Sequence, residues 1–140
     1  MTDKKEMVQR TITAKWVGPE LEYEGYDAKG NVIKMGGGAF SPSELLLMGV
    51  AGCTGMDVKS ILTKKKVDFE TIEISVTGHQ PTRYPKPYKI VNIHFKVTGK
   101  NVPADAVERA IYLSSEKYCI ASQTLKNPTE VTTSFEIVEA

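Results

Sequence analysis

The 140-residue sequence has little cysteine and histidine: Cys53, Cys119, His79 and His94 are the only residues of these types. Two cysteines exclude the dense disulfide framework that staples small secreted domains. Neither histidine falls at zinc-ligand spacing from a cysteine, so we predict no metal site. The cysteines are interpreted as buried packing residues or as redox groups, in preference to metal ligands.

A charge imbalance and long hydrophobic runs are also lacking. The formal net charge is +1, which gives no strong attraction to nucleic acid or to an anionic membrane. The longest apolar run, Leu45 to Ala51, is too short to cross a bilayer. Lys4 and Lys5 precede no apolar segment, so no secretory signal is predicted. We expect a cytoplasmic protein with reduced thiols and neither a nucleic-acid nor a membrane partner.

The composition that remains is that of an ordinary globular domain, with 41% hydrophobic and 25% charged residues. The length suits one domain with its own hydrophobic core. Neither an internal repeat nor a linker interrupts the chain. We predict a single domain over residues 1–140.

Alternation of apolar and polar residues predicts the strands. The pattern occurs at 10–17, 72–77, 91–98 and 131–137, and 21–26 and 32–35 are predicted as two further strands that form a meander with the first. Because the strands at 72–77 and 91–98 each have one apolar and one polar face, we predict antiparallel pairing.

Three helices are predicted between the strands, which gives an α+β fold. The first has Ser41 as N-cap, Pro42 at its first position and Glu44 as capping-box partner, and runs to about Lys65. A second helix is predicted at 103–118, and a short helical turn at 120–126.

Gly49, Gly52 and Gly55 lie inside the first helix, around Cys53. Each glycine costs about 1 kcal/mol relative to alanine, which close approach of another backbone or a tight subunit contact would explain. Cys53 is then either a small buried side chain or a reactive thiol. Cys119 has the same two interpretations; a helix beginning there and the nearby Lys117 would favour its thiolate.

Two segments together resemble a known family. They are Ser41-Pro42-Ser43-Glu44-Leu45-Leu46-Leu47 followed by Gly52-Cys53, and Glu116-Lys117-Tyr118-Cys119 followed by Ser122. They are similar to the signatures of the OsmC/Ohr family of thiol-dependent hydroperoxide reductases. The segment Gly52-Cys53-Thr54-Gly55-Met56-Asp57-Val58 resembles the YhfA-like branch of that family.

The resemblance implies an OsmC-like fold, with an antiparallel sheet packed on the long glycine-rich central helix and two subunits intertwined as a homodimer. It also implies a peroxidase that reduces organic hydroperoxides or hydrogen peroxide. Cys53 would form a sulfenic acid, and Cys119 would resolve it as a Cys53–Cys119 disulfide. An external thiol or dithiol would be the reductant, and no cofactor is implied.

The sequence departs from the family at two places. The family's glutamate directly follows the proline, where this chain has Ser43, and Glu44 comes one residue later. Glu44 is a candidate catalytic residue, although its capping-box role is the favoured interpretation. The family's N-terminal arginine has no match near 17–21, and its replacement is left open. Asp57, one turn after Cys53, is expected to raise the thiol pKa by like-charge repulsion.

Two other functions are compatible with the sequence. The missing arginine favours a non-catalytic dimeric protein of the same fold that binds a small ligand or acts as a scaffold. Gly52-Cys53-Thr54-Gly55 also matches the GXXG pattern of KH nucleic-acid domains. The apolar, helix-like flanks argue against the KH interpretation, because the KH pattern is an exposed loop.

Overall fold

The computed structural model describes residues 6–139, so Lys4 and Lys5 lie outside the described part. The chain divides between Leu46 and Leu47 into two compact units, each described here by itself. One domain over residues 1–140 therefore stays a prediction.

The first unit contains a three-stranded antiparallel sheet in the order β1-β2-β3. Its strands are β1 (Thr13–Trp16), β2 (Tyr23–Tyr26) and β3 (Val32–Met35). The predicted meander of three strands is confirmed, although β1 is shorter than 10–17. The indole Nε1 of Trp16 donates to the carbonyl oxygen of Glu20 at 2.8 Å, and the Trp16 side chain is otherwise largely exposed.

A carboxylate closes the turn between β2 and β3. Asp27 Oδ1 accepts hydrogen bonds from the backbone N–H groups of Lys29 at 2.9 Å and Asn31 at 2.8 Å. The Asn31 Nδ2 group donates to Asp27 Oδ2 at 2.7 Å. Gly30 adopts a φ of 87°, which a residue with a side chain rarely takes. Aspartate and glycine are therefore placed where the turn needs them.

Helix α1 (Pro42–Lys64) begins at the predicted proline and ends one residue before the predicted end. The backbone N–H of Glu44 donates to Ser41 Oγ at 3.2 Å, and that hydroxyl donates to Glu44 Oε1 at 3.0 Å. The Ser41 hydroxyl therefore caps the helix, and the Glu44 carboxylate accepts from that hydroxyl rather than from the backbone N–H that a capping box uses. The predicted start signal is confirmed.

In length and composition α1 also passes as a membrane span, with a mean hydropathy of 1.4 over its most apolar window. It is the one such helix among residues 6–139. The prediction of no span rested on the shorter run Leu45 to Ala51. In the second unit, however, α1 contributes the fully buried side chains of Val50, Val58 and Leu62. The core helix of a globular domain can be equally long and apolar, so length and composition alone do not make α1 a membrane span.

The second unit packs a β-ladder against helices. Strands β4 (Phe69–His79) and β5 (Ile90–Gly99) pair antiparallel, with one half-buried and one exposed face, as predicted. Helix α2 spans Ala104–Leu113. The core joins side chains of α1 and α2 to the inner face of the ladder: Val58, Leu62, Ala106, Ala110, Ile72, Phe95 and Val97. The α+β class with an antiparallel sheet on a central helix is confirmed.

One glycine of α1 has a visible packing reason. A Cβ on Gly55 would lie 2.9 Å from Cδ1 of Ile74 on β4. Gly49 and Gly52 have no described atom within 4 Å of the corresponding position. Close approach of the Ile74 side chain, and not of a backbone, therefore explains Gly55. No described residue explains Gly49 or Gly52.

The helix predicted at 103–118 is wrong in one respect, because its last turn is not α-helical. After Leu113 the backbone forms a π-helical turn, Ser114–Tyr118, and then helix α3, Ile120–Lys126. Cys119 lies between them in an extended conformation, with φ −77° and ψ 107°. A periodicity in sequence does not distinguish an α-turn from a π-turn.

The strand predicted at 131–137 is not formed. Residues 128–139 have no regular secondary structure. Val131, Phe135 and Ile137 keep their alternate spacing, yet each is more than four-fifths exposed, at 82%, 89% and 81%. A strand requires a hydrogen-bonding neighbour, and the described part of the chain supplies none.

Candidate functional site

The two cysteines meet in the second unit. Both are free thiols; Cys53 is half-buried on α1 and Cys119 is fully buried at the start of α3. Their sulfur atoms lie within 4.8 Å of each other, and a carboxylate oxygen of Asp57 lies within the same distance of both. A disulfide has an S–S length of about 2.05 Å, so bonding requires a movement of less than about 3 Å.

The π-helical turn places Cys119. The backbone N–H of Cys119 donates to the carbonyl oxygen of Ser114 at 2.8 Å, which closes the turn. Cys119 is then the N-cap of α3, and its sulfur accepts a hydrogen bond from the N–H of Ser122 at 3.4 Å. A π-turn inside helical sequence is often found at functional sites. The predicted junction at Cys119 is confirmed.

The pKa of the Cys53 thiol is raised, chiefly because burial penalises the thiolate. The neighbouring thiol of Cys119 raises it further, whereas backbone hydrogen bonds from Ala121 and Ile120 lower it. The predicted direction is confirmed, but its main cause is burial and not Asp57. The stabilising groups are backbone N–H groups at the start of α3.

A buried hydroxyl pair lies beside the cysteines. Thr54 Oγ1 and Ser114 Oγ are 2.8 Å apart, and Ser114 Oγ donates to Asp57 Oδ2 at 2.8 Å. Ser114 is fully buried and Thr54 nearly so. The sequence pattern indicated neither hydroxyl as a site residue, because the two lie 60 positions apart. The pair joins α1 to the π-turn and fixes the carboxylate near both sulfurs.

Three potential metal ligands converge here. Within residues 6–139, Cys53, Asp57 and Cys119 are the one such group, and their ligand atoms are mutually within 4.8 Å. The sequence did not show it, because Cys119 comes from a distant segment and neither histidine takes part. Two thiolates and a carboxylate are a donor set that suits zinc.

Two cavities lie near the site, although neither is lined by Cys53 or Cys119. One, of about 420 Å³, is lined by Val50 and Thr54 of α1, Ile93 and Phe95 of β5, and Ser122 and Leu125 of α3. The other, of about 350 Å³, is lined by Asp57, Lys64, Lys65 and Tyr118, among others. Both volumes lie at the lower end of the range of ordinary ligand pockets, about 300–1,000 Å³. Thr54, Asp57 and Ser122, which lie beside the cysteines, therefore border space for a small molecule.

Glu44 is not brought to the cysteines by any described contact. Its two described hydrogen bonds are both with Ser41, and it belongs to the first unit. A catalytic role for Glu44 stays a prediction. Among the arginines, Arg109 stacks over the ring of Tyr112, 5.5 Å from its centroid. Gly52 to Gly55 lies within α1, not in an exposed loop, which removes the structural basis for a KH domain.

Comparison with known proteins gives a consistent assignment. Residues 35–134 match the family model described as OsmC-like protein. Protein YhfA of Escherichia coli strain K12 is 38% identical over 130 residues, which cover 90% of this chain and 96% of the relative.

Solved structures agree with this assignment. A hypothetical protein of Aquifex aeolicus VF5 has a TM-score of 0.78 at 32% identity and covers 86% of this chain and 89% of its own. The organic hydroperoxide resistance protein OhrB of Bacillus subtilis has a TM-score of 0.56 at 15% identity, with 85% and 91% covered, which shows a shared fold. The family model matches most of the chain, and YhfA is well above 30% identical to it. The chain therefore belongs to the OsmC-like family.

Proposed function

We propose that the protein is a thiol-dependent peroxidase in which Cys53 attacks the peroxide and Cys119 resolves the product. The observation that carries this proposal is the approach of the two free sulfurs to within 4.8 Å. The name of the Bacillus subtilis relative, an organic hydroperoxide resistance protein, supports a hydroperoxide as substrate.

The first step forms a sulfur–oxygen bond and breaks the O–O bond. The Cys53 thiolate attacks the terminal oxygen of ROOH, and the leaving alkoxide takes a proton and departs as ROH. Sulfur is oxidised by two electrons to the sulfenic acid, and the peroxide is reduced by the same two. With hydrogen peroxide the leaving product is water.

The second step resolves the sulfenic acid. The Cys119 sulfur attacks the Cys53 sulfur, an S–S bond replaces the S–O bond, and the hydroxyl leaves as water with the thiol proton. Full burial of Cys119 keeps it from reacting first with peroxide from solution. Resolution protects Cys53 from irreversible oxidation.

The third step returns both cysteines to the reduced state. An external dithiol attacks the disulfide through a mixed-disulfide intermediate and leaves as its own disulfide. Cys53 is the less buried of the two cysteines, so its sulfur is the proposed point of attack. The cycle needs no cofactor.

Backbone groups take the role that an arginine has elsewhere in the family. The N–H groups of Ile120 and Ala121 hydrogen-bond to Cys53 and lower its pKa, against the opposing effect of burial. They hold the developing thiolate without a cationic side chain. Glu44 is retained as a candidate third catalytic residue, whose established contact is with Ser41.

A homodimer in the cytoplasm completes the proposal. The exposed, alternating apolar residues of segment 128–139 and the open glycines Gly49 and Gly52 are surfaces that a second copy would cover.

Two unpaired cysteines suit a reducing compartment. Neither a membrane nor a nucleic acid is a proposed partner. Sedimentation velocity would detect the dimer.

Peroxide consumption tests the proposal. Wild type is assayed with cumene hydroperoxide and hydrogen peroxide, with dithiothreitol as reductant, in a buffer that contains a chelator. We expect turnover that Cys53→Ser abolishes, and an intramolecular disulfide in the wild type by mass spectrometry. Equal rates for wild type and Cys53→Ser would refute the proposal.

The same assay addresses the second candidate, a non-catalytic protein that binds a small ligand or acts as a scaffold. The cavity of about 420 Å³ beside Thr54 and Ser122 favours this candidate, because it offers an apolar binding space. Saturable ligand binding without peroxide turnover in the wild type would establish it.

A further inference from the structure

We propose that Cys53, Asp57 and Cys119 bind a thiophilic divalent cation, with zinc as the best fit, when the cysteines are reduced. The cation and the peroxide would then compete for the same two sulfurs. Binding of the cation follows from the geometry alone. The competition rests on the proposed peroxidase function.

The distances are close to those of a bound zinc. The three ligand atoms lie within 4.8 Å of one another. A tetrahedral zinc with Zn–S of about 2.3 Å and Zn–O of about 2.1 Å places its ligand atoms about 3.6–3.8 Å apart. A contraction of about 1 Å completes the site. Cys53 and Asp57 are one turn apart on α1, so they already share a face.

Partners outside the site hold two of the ligands. The Asp57 carboxylate accepts from Ser114 Oγ at 2.8 Å, and the Cys119 sulfur accepts from the Ser122 N–H at 3.4 Å. Such partners orient ligands and raise metal affinity. Three protein ligands leave the fourth position for water or an external thiol, as in exchangeable zinc sites.

The charge of the donor set favours a divalent cation. Two thiolates and one carboxylate would carry three negative charges within 4.8 Å, and without a cation they would repel one another. A divalent cation reduces the total to one negative charge. Zinc therefore binds by displacing the two thiol protons, and its affinity rises with pH.

The competition with peroxide balances as a single reaction. The zinc-bound thiolate pair, ROOH and two protons give the disulfide, ROH, water and free Zn²⁺. The two sulfurs lose two electrons and the O–O bond gains them. A disulfide sulfur is a poor ligand, so oxidation releases the metal. Bound zinc, in turn, withholds both sulfurs from the peroxide.

Cobalt serves as the probe. The reduced full-length protein is titrated anaerobically with Co²⁺, and thiolate-to-cobalt charge-transfer absorption is followed; Zn²⁺ is then added. We expect about one Co²⁺ per chain, tetrahedral visible bands, and displacement by Zn²⁺. Absence of charge-transfer absorption in the wild type overturns the proposal without any variant.

Matched variants test the ligand set. Asp57→Asn keeps the side-chain volume and removes the charge, and Asp68→Asn is its control on an exposed aspartate in the same unit. We expect zinc affinity to fall at least about tenfold in Asp57→Asn and Cys119→Ser, and to stay unchanged in Asp68→Asn. Equal affinity in wild type and Asp57→Asn would show binding by the dithiol alone and overturn the three-ligand site.

A separate assay keeps this proposal distinct from the peroxidase. Metal binding is measured without peroxide, and peroxide turnover is measured in chelator, so each can fail independently. With both established, equimolar zinc is expected to slow disulfide formation at least about tenfold in the wild type. Unchanged disulfide formation by zinc-saturated protein overturns the competition.

Discussion

Ser114 donates a 2.8 Å hydrogen bond to the carboxylate of Asp57 from a fully buried position, next to the hydroxyl of Thr54. Ser114→Ala removes the hydroxyl and leaves the Thr54 hydroxyl and one Asp57 oxygen without this partner. A buried polar group that loses its partner costs about 1–3 kcal/mol. We therefore expect the free energy of unfolding, measured by urea denaturation, to fall by about that amount.

Ser60→Ala is the matched control for Ser114→Ala. Ser60 is exposed on the same helix that carries Asp57. A surface substitution of this kind changes stability by about 0.5 kcal/mol or less. Equal losses in the two variants would show that the buried hydroxyl pair contributes nothing specific.

Replacement of Cys119 separates the roles proposed for the two cysteines. In Cys119→Ser the first oxidation at Cys53 proceeds, but no second thiol lies within 4.8 Å to resolve the sulfenic acid. We expect one normal turnover, then accumulation of sulfinic and sulfonic Cys53 in excess peroxide. Intact-protein mass spectrometry after timed exposure reads out both products.

Wild-type protein at the same peroxide dose is the control for over-oxidation. It is expected to stop at the intramolecular disulfide. Multiple turnovers by Cys119→Ser at the wild-type rate would mean that Cys119 is not the resolving residue and that the external reductant acts on the sulfenic acid directly.

Two glycines of α1, Gly52 and Gly55, differ in the space around them, so we expect alanine at each position to change stability differently. Gly52→Ala adds a methyl group where no described atom lies within 4 Å, so the single chain should gain about 1 kcal/mol of helix stability. Gly55→Ala adds one 2.9 Å from Ile74 Cδ1, which must then move. We expect Gly55→Ala to be the less stable variant by urea denaturation.

Urea denaturation at several protein concentrations separates the effect of Gly52→Ala on helix stability from its effect on the proposed dimer. If a second copy packs against Gly52 in the proposed dimer, Gly52→Ala raises the dissociation constant of the dimer. The unfolding midpoint of the variant is then independent of concentration up to a higher protein concentration than that of the wild type. At a concentration where only monomer is present, a Gly55→Ala protein more stable than Gly52→Ala would contradict the packing at Ile74.

The turn at Asp27 predicts a dependence of stability on pH. Hydrogen bonds from the Asn31 side chain, and then from backbone N–H groups, lower the pKa of the Asp27 carboxyl. Because the folded pKa is the lower one, ionised Asp27 stabilises the fold above the ordinary aspartate pKa. This contribution is lost as the pH falls through the folded value.

Asp27→Asn tests this dependence against wild type. We expect wild type to be more stable at neutral pH and the difference to shrink in acid. Urea denaturation at several pH values measures it, and Asp68→Asn, on an exposed carboxylate outside the turn, is the control. A difference that stays constant with pH would exclude the Asp27 charge as its cause.

Local signals in the sequence were sufficient for most of the architecture. Ser41, Pro42 and Glu44 predicted the start of α1, and alternation predicted β4 and β5 with one half-buried face each. These features depend on residues a few positions apart, so they can be read from one chain.

The features that the sequence missed depend on distant partners. Residues 131–137 have the alternation of a strand, but a strand also needs a neighbour, and the described chain has none there. Ser114 looked like an ordinary helix residue until its burial against Thr54 and Asp57 was seen. The pairing of Cys53 with Cys119 came from a family resemblance and not from spacing.

The π-helical turn Ser114–Tyr118 sets the position of Cys119, so a change in the number of residues in this turn would displace that cysteine. Deleting one residue within it would let the ladder of hydrogen bonds run on as an α-helix. Everything that follows would then rotate by about 100° relative to α2. The Cys119 sulfur would then move away from Cys53 while both thiols remain, so the loss of one residue would abolish the proposed redox pairing and spare the fold.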